Sequence, residues 1–254
     1  GQPVIFHMEN EEWYLKKETG RLERSQVNAY CATKEDIKSM VKFISSYSLY
    51  AYEDEMKRGF ITMQGGHRIG VAGQVVMDGG KVLSLSNIYF LNIRVAREKR
   101  GCAKDIIPYL IHRNNIYNTL FVSPPGIGKT TYLRDAIRIL SNGSDRLHGM
   151  KISIIDERSE IAACRQGIPQ NDIGIRSDVL DGCLKSFGML LMLRSMAPQI
   201  IAVDEIGSRE DCRAMEQAIY SGSRIIGTVH AYDMKELSRK KYLKEMLEQQ
   251  MFGR

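Results

Sequence analysis

No stretch of this sequence approaches the roughly 18 consecutive apolar residues that a membrane-crossing helix requires, and no signal peptide is visible. Because the chain opens on Gly1 and stops at Arg254, its ends say nothing about an anchor. Cysteine usage excludes more. Cys31, Cys102, Cys164, Cys183 and Cys212 are an odd number with no C-x-x-C spacing, which argues against a disulfide framework and against a zinc site. They read as reduced cytosolic thiols, mostly buried filler. Repeats and low-complexity tracts are missing as well, and the first hundred residues contain no β-α-β alternation. What remains is an ordinary globular balance of 254 residues, 43% apolar and 26% charged, enough for one large domain or two small ones. The net charge of +6 is moderate. Much of it lies between Asn92 and Arg113, where Arg94, Arg97, Lys99, Arg100, Lys104 and Arg113 outnumber Glu98 and Asp105. That segment reads as a solvated face, as a contact for an acidic partner, or as arginines aimed at a neighbour's nucleotide.

The most informative stretch is Ser123-Pro124-Pro125-Gly126-Ile127-Gly128-Lys129-Thr130-Thr131. It follows the apolar run Thr119–Val122 and opens a segment in which Leu133, Ala136, Ile137 and Leu140 recur at one face of a helix. Strand, glycine loop, Gly-Lys-Thr and helix is the order a phosphate-binding P-loop needs. Loop N–H groups and the positive helix end surround phosphates, Lys129 reaches the terminal ones, and Thr130 offers a hydroxyl to Mg²⁺. The full pattern begins with glycine, and this chain has Ser123 there.

Ahead of this, residues 1–100 read as a smaller α+β domain. Thr33 precedes Lys34-Glu35-Asp36 as an N-cap, and Ile37, Met40, Val41 and Ile44 follow with helical spacing. A second helix is expected over Leu49–Arg58. Hairpin strands are expected at Phe60–Met63, Arg68–Met77 and Lys81–Leu85, and a separate last strand at Tyr89–Val95. Gly101–Leu110 reads as a linker. Residues 101–254 then alternate strand and helix, with strands at Ile152–Ile155, Ile200–Val203 and Arg224–Val229 and helices at Lys185–Met196 and Asp211–Tyr220. Continuous Ile/Val runs separated by helices mean parallel strands buried on both faces. The expected fold is a RecA-like α/β P-loop domain with a mostly parallel sheet behind the α+β N-terminal domain.

Acids at strand ends supply the remaining chemistry. Ile200–Val203 runs into Asp204 and Glu205. Asp204 is expected to order the Mg²⁺ water shell with Thr130, and Glu205 to hydrogen-bond the attacking water. Glu157, closing Ile152-Ser153-Ile154-Ile155-Asp156, competes for that role; it reads equally as an N-cap or an ion-pair partner of Arg158. Thr228 or His230, ending the last strand, is placed to sense a γ-phosphate. Arg194, at a helix end, pairs with a phosphate or with the helix C-terminus. Arg68, Arg94 and Arg97 are candidates for a neighbouring subunit's phosphate. No Asn-Lys-x-Asp guanine-reading run is present.

The order Leu193-Arg194-Ser195-Met196-Ala197-Pro198-Gln199-Ile200-Ile201, then Glu205, then Gly227-Thr228-Val229-His230-Ala231 resembles the secretion-superfamily ATPases of type II and type IV secretion and pilus motors. In them a P-loop, an acidic box, an acidic strand end and a Thr-x-His box line the nucleotide site, matching Ser123–Thr131, Asp156–Glu160, Asp204–Glu205 and Thr228–His230 here. Ser123–Asp135, Ile155–Ile161, Pro169–Gly174 with Asp178–Cys183, and Asn92–Arg97 further resemble the stage III sporulation protein AA family of endospore-forming bacteria. The resemblance implies an ATP- and Mg²⁺-using ATPase. It would be cytoplasmic, on the mother-cell side, and peripheral to a membrane channel complex of sporulation proteins. It would also be a homo-oligomer, a hexamer as in the superfamily. Two rival expectations are an ATP-regulated nucleic-acid-binding module, for which the charge excess is modest, and a nucleotide-binding scaffold without hydrolysis.

Overall fold

The computed structural model describes residues 1–8, 11–45, 52–112, 115–144 and 147–252. They fall into two compact units, Gly1–Met63 with His67–Val95, and Gln64–Gly66 with Ala96–Arg254.

The first unit holds two antiparallel sheets. β1 (Ile5–Met8), β2 (Glu11–Leu15) and β3 (Leu22–Glu23) form one of them, and its short strands carry too little periodicity to be read from sequence. Next comes α1 (Lys34–Ile44), started by the expected capping box: Asp36 N–H donates to Thr33 Oγ1 at 3.1 Å, and Thr33 N–H donates to Asp36 Oδ2 at 2.7 Å. The described part of the second expected helix is α2 (Glu53–Lys57); Leu49–Ala51 lies outside the described residues. β4 (Phe60–Thr62), β5 (Arg68–Asp78) and β6 (Lys81–Arg94) make the second sheet. The separate strand expected at Tyr89 is a continuation of β6. A bulge opposite Gly73 absorbs the irregularity at Asn87, which takes φ +46°, so the ribbon bends without turning. Ile44, Tyr52, Met56, Ile61, Ile69 and Val71 form this unit's small core.

The second unit begins with α3 (Ile107–Leu110) and the short pair β7 (Ile111–His112) and β8 (Asn115–Ile116). Then follow β9 (Thr119–Ser123), α4 (Lys129–Asn142), β10 (Ile152–Asp156), β11 (Ser177–Asp181), α5 (Lys185–Met196), β12 (Ile200–Val203), α6 (Arg209–Tyr220), β13 (Arg224–His230), α7 (Met234–Leu237) and α8 (Lys241–Glu248). Five strands pair in parallel in the order β11-β10-β12-β13-β9. Alternate residues of the apolar runs serve opposite faces, as period-two geometry demands. Ile152, Ile154, Ile200, Ala202 and Ile226 pack with Leu133, Ala136, Ile137 and Leu140 of α4. Ile155, Ile201, Val203, Ile225 and Val229 pack with Met189 of α5 and with Met215 and Ala218 of α6. Helices on both faces leave the carboxyl ends of β9, β13, β12 and β10 as one open edge, where such sheets bind ligands.

A second expectation changes. Gly101–Leu110 is not a linker, because Ala103, Ile107 and Leu110 are buried in the core beneath α4. Their side chains look unremarkable in sequence, and the tie is a polar one: Ala103 N–H donates to Asp135 Oδ2 at 2.8 Å, while Arg138 Nε and Nη2 donate to Asp135 Oδ1 at 2.9 and 2.7 Å. Removing a buried acceptor leaves its donor unsatisfied, which costs about 1–3 kcal/mol. Asp135→Ala is therefore expected to lower unfolding stability by that amount in a denaturant titration, whereas a neutral result would return 101–110 to linker status.

Candidate active site

The register of β13 on β9 sets His230 directly opposite Ser123, so the end of β13 abuts the start of the glycine loop. Gly126 and Gly128 take φ values of +78° and +97°, and a Cβ on either would meet nothing within 4 Å. Backbone conformation, not space, calls for glycine at both. Gly128 is the N-cap of α4 and no side chain caps that end, so the first-turn N–H groups stay available to an anion. Lys129 is 8% exposed. Its Nζ donates to the carbonyls of Ser123 at 3.0 Å and Pro124 at 2.9 Å, and meets His230 Nδ1 at 2.9 Å. Burial pulls its pKa below the ordinary lysine value, against the opposing charges of Asp204 and Glu205.

The hydrogen-bond logic fixes the tautomer of His230. An ammonium only donates, so Nδ1 accepts from Lys129, and the ring proton sits on Nε2, which donates to Glu205 Oε1 at 3.0 Å. Beside this chain Asp204 gathers two hydroxyls. Thr130 Oγ1 donates to Oδ2 at 2.7 Å, and Thr228 Oγ1, fully buried, donates to Oδ1. Glu205 takes φ +51°, an uncommon conformation for its type, held because its N–H donates to Thr228 Oγ1 at 2.8 Å. Burial raises the Glu205 pKa, but the His230 hydrogen bond and the Arg158 charge outweigh it, and the net shift is downward.

The Asp156–Glu160 stretch divides its labour. Asp156 is not open to a ligand: its carboxylate accepts the N–H groups of Glu160, Ile161 and Ala162 at 2.8, 3.0 and 2.8 Å. Arg134 of α4 grips the same turn from the carbonyl side, donating to Glu160 O and Ile161 O at 2.6 Å each. Ser159 Oγ donates to Asp181 Oδ1 at 2.5 Å. Between strand and pinned turn, Glu157 pairs with Lys185 at 2.6 Å, and Arg158 forms an ion pair with Glu205. Sequence reasoning offered Arg158 as Glu157's partner and passed over Arg134 and Lys185. Arg134 lies five residues past Lys129 on α4, a spacing that signals nothing until β10 is seen to lie alongside. Arg194 is exposed in the last turn of α5, and among the described residues no hydrogen bond or ion pair joins it to this cluster. In the first unit Arg68 stacks over Phe60, 3.6 Å from the ring centroid, and stands opposite Arg94. Arg97 is exposed. Arg100, from the basic segment, is already paired with Glu98 and Asp172.

Residues 1–254 match the family described as Sporulation stage III, protein AA. The chain belongs to the stage III sporulation protein AA family. It is 43% identical over 226 residues to the stage III sporulation protein AA of Bacillus subtilis (strain 168), covering 89% of this chain and 73% of that one. Among solved structures it is similar to the Legionella pneumophila ATPase DotB, with a TM-score of 0.57 at 16% identity over 96% of this chain and 68% of the other. A second likeness is to the pilus retraction motor PilT with bound ADP, with a TM-score of 0.58 at 14% identity over 94% and 64%. These likenesses establish the RecA-like fold of the secretion ATPases for this member of the family.

Its donor set suits Mg²⁺ and a phosphate chain. Thr130 and Asp204 present hard oxygens within hydrogen-bond reach of each other. Among the described residues no cluster of three or more His, Cys, Asp or Glu could hold a metal alone. Mg²⁺ keeps water and substrate phosphates in its shell and takes only one or two oxygens from protein. Thr130 and Asp204 are the residues that would hold it.

Asp156 gives this turn a pH signature. Burial pushes its carboxyl up to about 6, with Asp181 adding to the rise and the three N–H bonds opposing it. Unfolded, the same group titrates near 4. The folded state thus favours the protonated acid, and this contribution to stability is complete below about pH 4 and lost as pH rises through about 6. Asp156→Asn is expected to flatten the fall in unfolding free energy between about pH 4 and 7. Parallel slopes for the two proteins would contradict it.

Proposed function

We propose that this chain is an Mg²⁺-dependent ATPase that works in endospore formation at a membrane-spanning, secretion-like complex. The observation that carries the reading is the continuous path Lys129–His230–Glu205 lying beside the Thr130–Asp204–Thr228 cluster. It joins the loop lysine, a hydroxyl–carboxylate pair suited to Mg²⁺ and a second acid at one sheet edge. Membership of the sporulation family and the secretion-ATPase fold support the biological setting. The family resemblance carries the channel complex, the mother-cell side and a homo-oligomer, taken as a hexamer. No helix among the described residues is long and apolar enough to cross a membrane, which suits a peripheral role.

The chemistry follows from groups already in place. Loop N–H groups and the α4 N-terminus bind the β- and γ-phosphates. Lys129 exchanges the Ser123 and Pro124 carbonyls for phosphate oxygens, a stronger, charge-assisted pairing. Mg²⁺ on Thr130 and Asp204 supplies neutralisation of the phosphate charge. Glu205 orients the attacking water. Glu157 is the weaker candidate for that task because its ion pair is with Lys185, whereas Glu205 is linked through His230 to the loop lysine. When Lys129 turns to phosphate, His230 Nδ1 loses its donor, so the histidine carries word of the γ-phosphate from loop to acid. ATP is preferred through the resemblance. A nucleic-acid role is disfavoured by Arg100, whose charge is already met by Glu98 and Asp172.

Lys129→Ala is expected to abolish nucleotide binding and turnover, and hydrolysis at the parent rate would refute the assignment. Glu205→Gln should still bind ATP while losing about 10²–10³-fold in kcat, on the scale of a lost catalytic base, with Glu157→Gln losing clearly less. The reverse ranking in steady-state phosphate release would move the water-orienting role to Glu157. Zero release by the parent in the presence of channel partners would favour a binding scaffold.

A further inference from the structure

Two acids stand at this edge, and each is held by its own cation. Glu205 accepts from His230 Nε2 and pairs with Arg158; Glu157 pairs with Lys185, the first residue of α5. Glu157 and Arg158 are consecutive, and the turn that follows them is fixed three ways, by Asp156 on its N–H groups, Arg134 on its carbonyls and Asp181 on Ser159. The backbone that presents Arg158 is therefore rigid while its side chain is 58% exposed. An ion pair with so exposed a partner adds little to stability. Its consequence is geometric, because a planar guanidinium against a carboxylate restricts how that carboxylate turns.

We propose that Arg158 is a positioning residue that holds the Glu205 carboxylate in register with His230 and the Thr130–Asp204 pair, while Lys185 pairs with Glu157 and takes no part in placing Glu205. This rests on the reading of the cluster as an ATP site, yet the placement of Glu205 is measurable without turnover. Arg158 does not contact phosphate in this scheme and acts through Glu205.

The test compares parent, Arg158→Ala, Arg158→Lys and Lys185→Ala as full chains. In histidine ring nitrogen NMR without added nucleotide, with the His230 signal assigned by its loss in His230→Gln, Arg158→Ala should shift or broaden that signal. Lys185→Ala should leave it in place. In steady-state hydrolysis Arg158→Ala should lose about tenfold or more in kcat with the ATP dissociation constant within threefold of the parent. Arg158→Lys should recover part of the loss, and the melting temperature should move little. An unchanged His230 signal in Arg158→Ala would overturn the proposal whether or not the chain hydrolyses ATP. A tenfold loss of ATP affinity would overturn it too, by making Arg158 a phosphate contact. Failure of the ATPase reading shows elsewhere, as a parent indistinguishable from Lys129→Ala.

Discussion

Asp204 accepts hydroxyl hydrogen bonds from two threonines on different elements, Thr130 in the first turn of α4 and Thr228 on β13. That grip, one hydroxyl on each carboxylate oxygen, ties the glycine-loop helix, the acidic end of β12 and the neighbouring strand into one unit. Strand order makes it achievable. β13 lies between β9 and β12, so a threonine on β13 reaches the carboxylate at the tip of β12 while His230, two residues on, reaches the lysine that follows β9. The same Thr228 oxygen accepts the N–H of Glu205 and so holds that residue in its left-handed backbone conformation. One buried threonine thereby fixes both acids.

On the proposed reading, charge balance at this edge couples phosphate binding to the acid. Each cation of the cluster already has a protein partner: Lys129 has loop carbonyls and His230, Arg158 has Glu205, and Lys185 has Glu157. A phosphate competes most directly for Lys129, which is buried and whose ammonium is the least favourably solvated of the three. Its departure removes a donor from His230 and alters the strength of the histidine's bond to Glu205, since linked hydrogen bonds polarise one another. In the proposed scheme, binding at the loop and orientation at the acid are one equilibrium seen at two points.

The parallel sheet and its helices were legible because their signals are local. Ile152–Ile155 and Ile200–Val203 are continuous apolar runs, and Leu133, Ala136, Ile137 and Leu140 repeat at helical spacing. β11 was not legible: Ser177-Asp178-Val179-Leu180-Asp181 is an edge strand whose polar residues mask the pattern, and it is a strand because β10 lies beside it. The role of 101–110 was misread because its anchorage depends on an acid 32 residues beyond Ala103. At the site, the loop, Asp204, Glu205 and His230 announce themselves by standing at strand ends. Arg134, Arg158 and Lys185 do not, because what singles them out is the partner each meets across the fold, and a lone sequence carries no pairing information for surface cations. The Asp156 carboxylate shows the converse, a conspicuous acid whose three hydrogen bonds to its own backbone assign it to the turn.

The claim on which everything else rests is that the carboxyl ends of β9, β12 and β13 form a single phosphate-and-Mg²⁺ site. A crystal structure of the chain with ADP, beryllium fluoride and Mg²⁺ tests it most directly. The account predicts Lys129 Nζ moved from the carbonyls of Ser123 and Pro124 onto the phosphate mimic, with Thr130 and Asp204 at the metal and Glu205 facing the water in line. A nucleotide bound elsewhere, or Lys129 still seated on those carbonyls with nucleotide present, would contradict it.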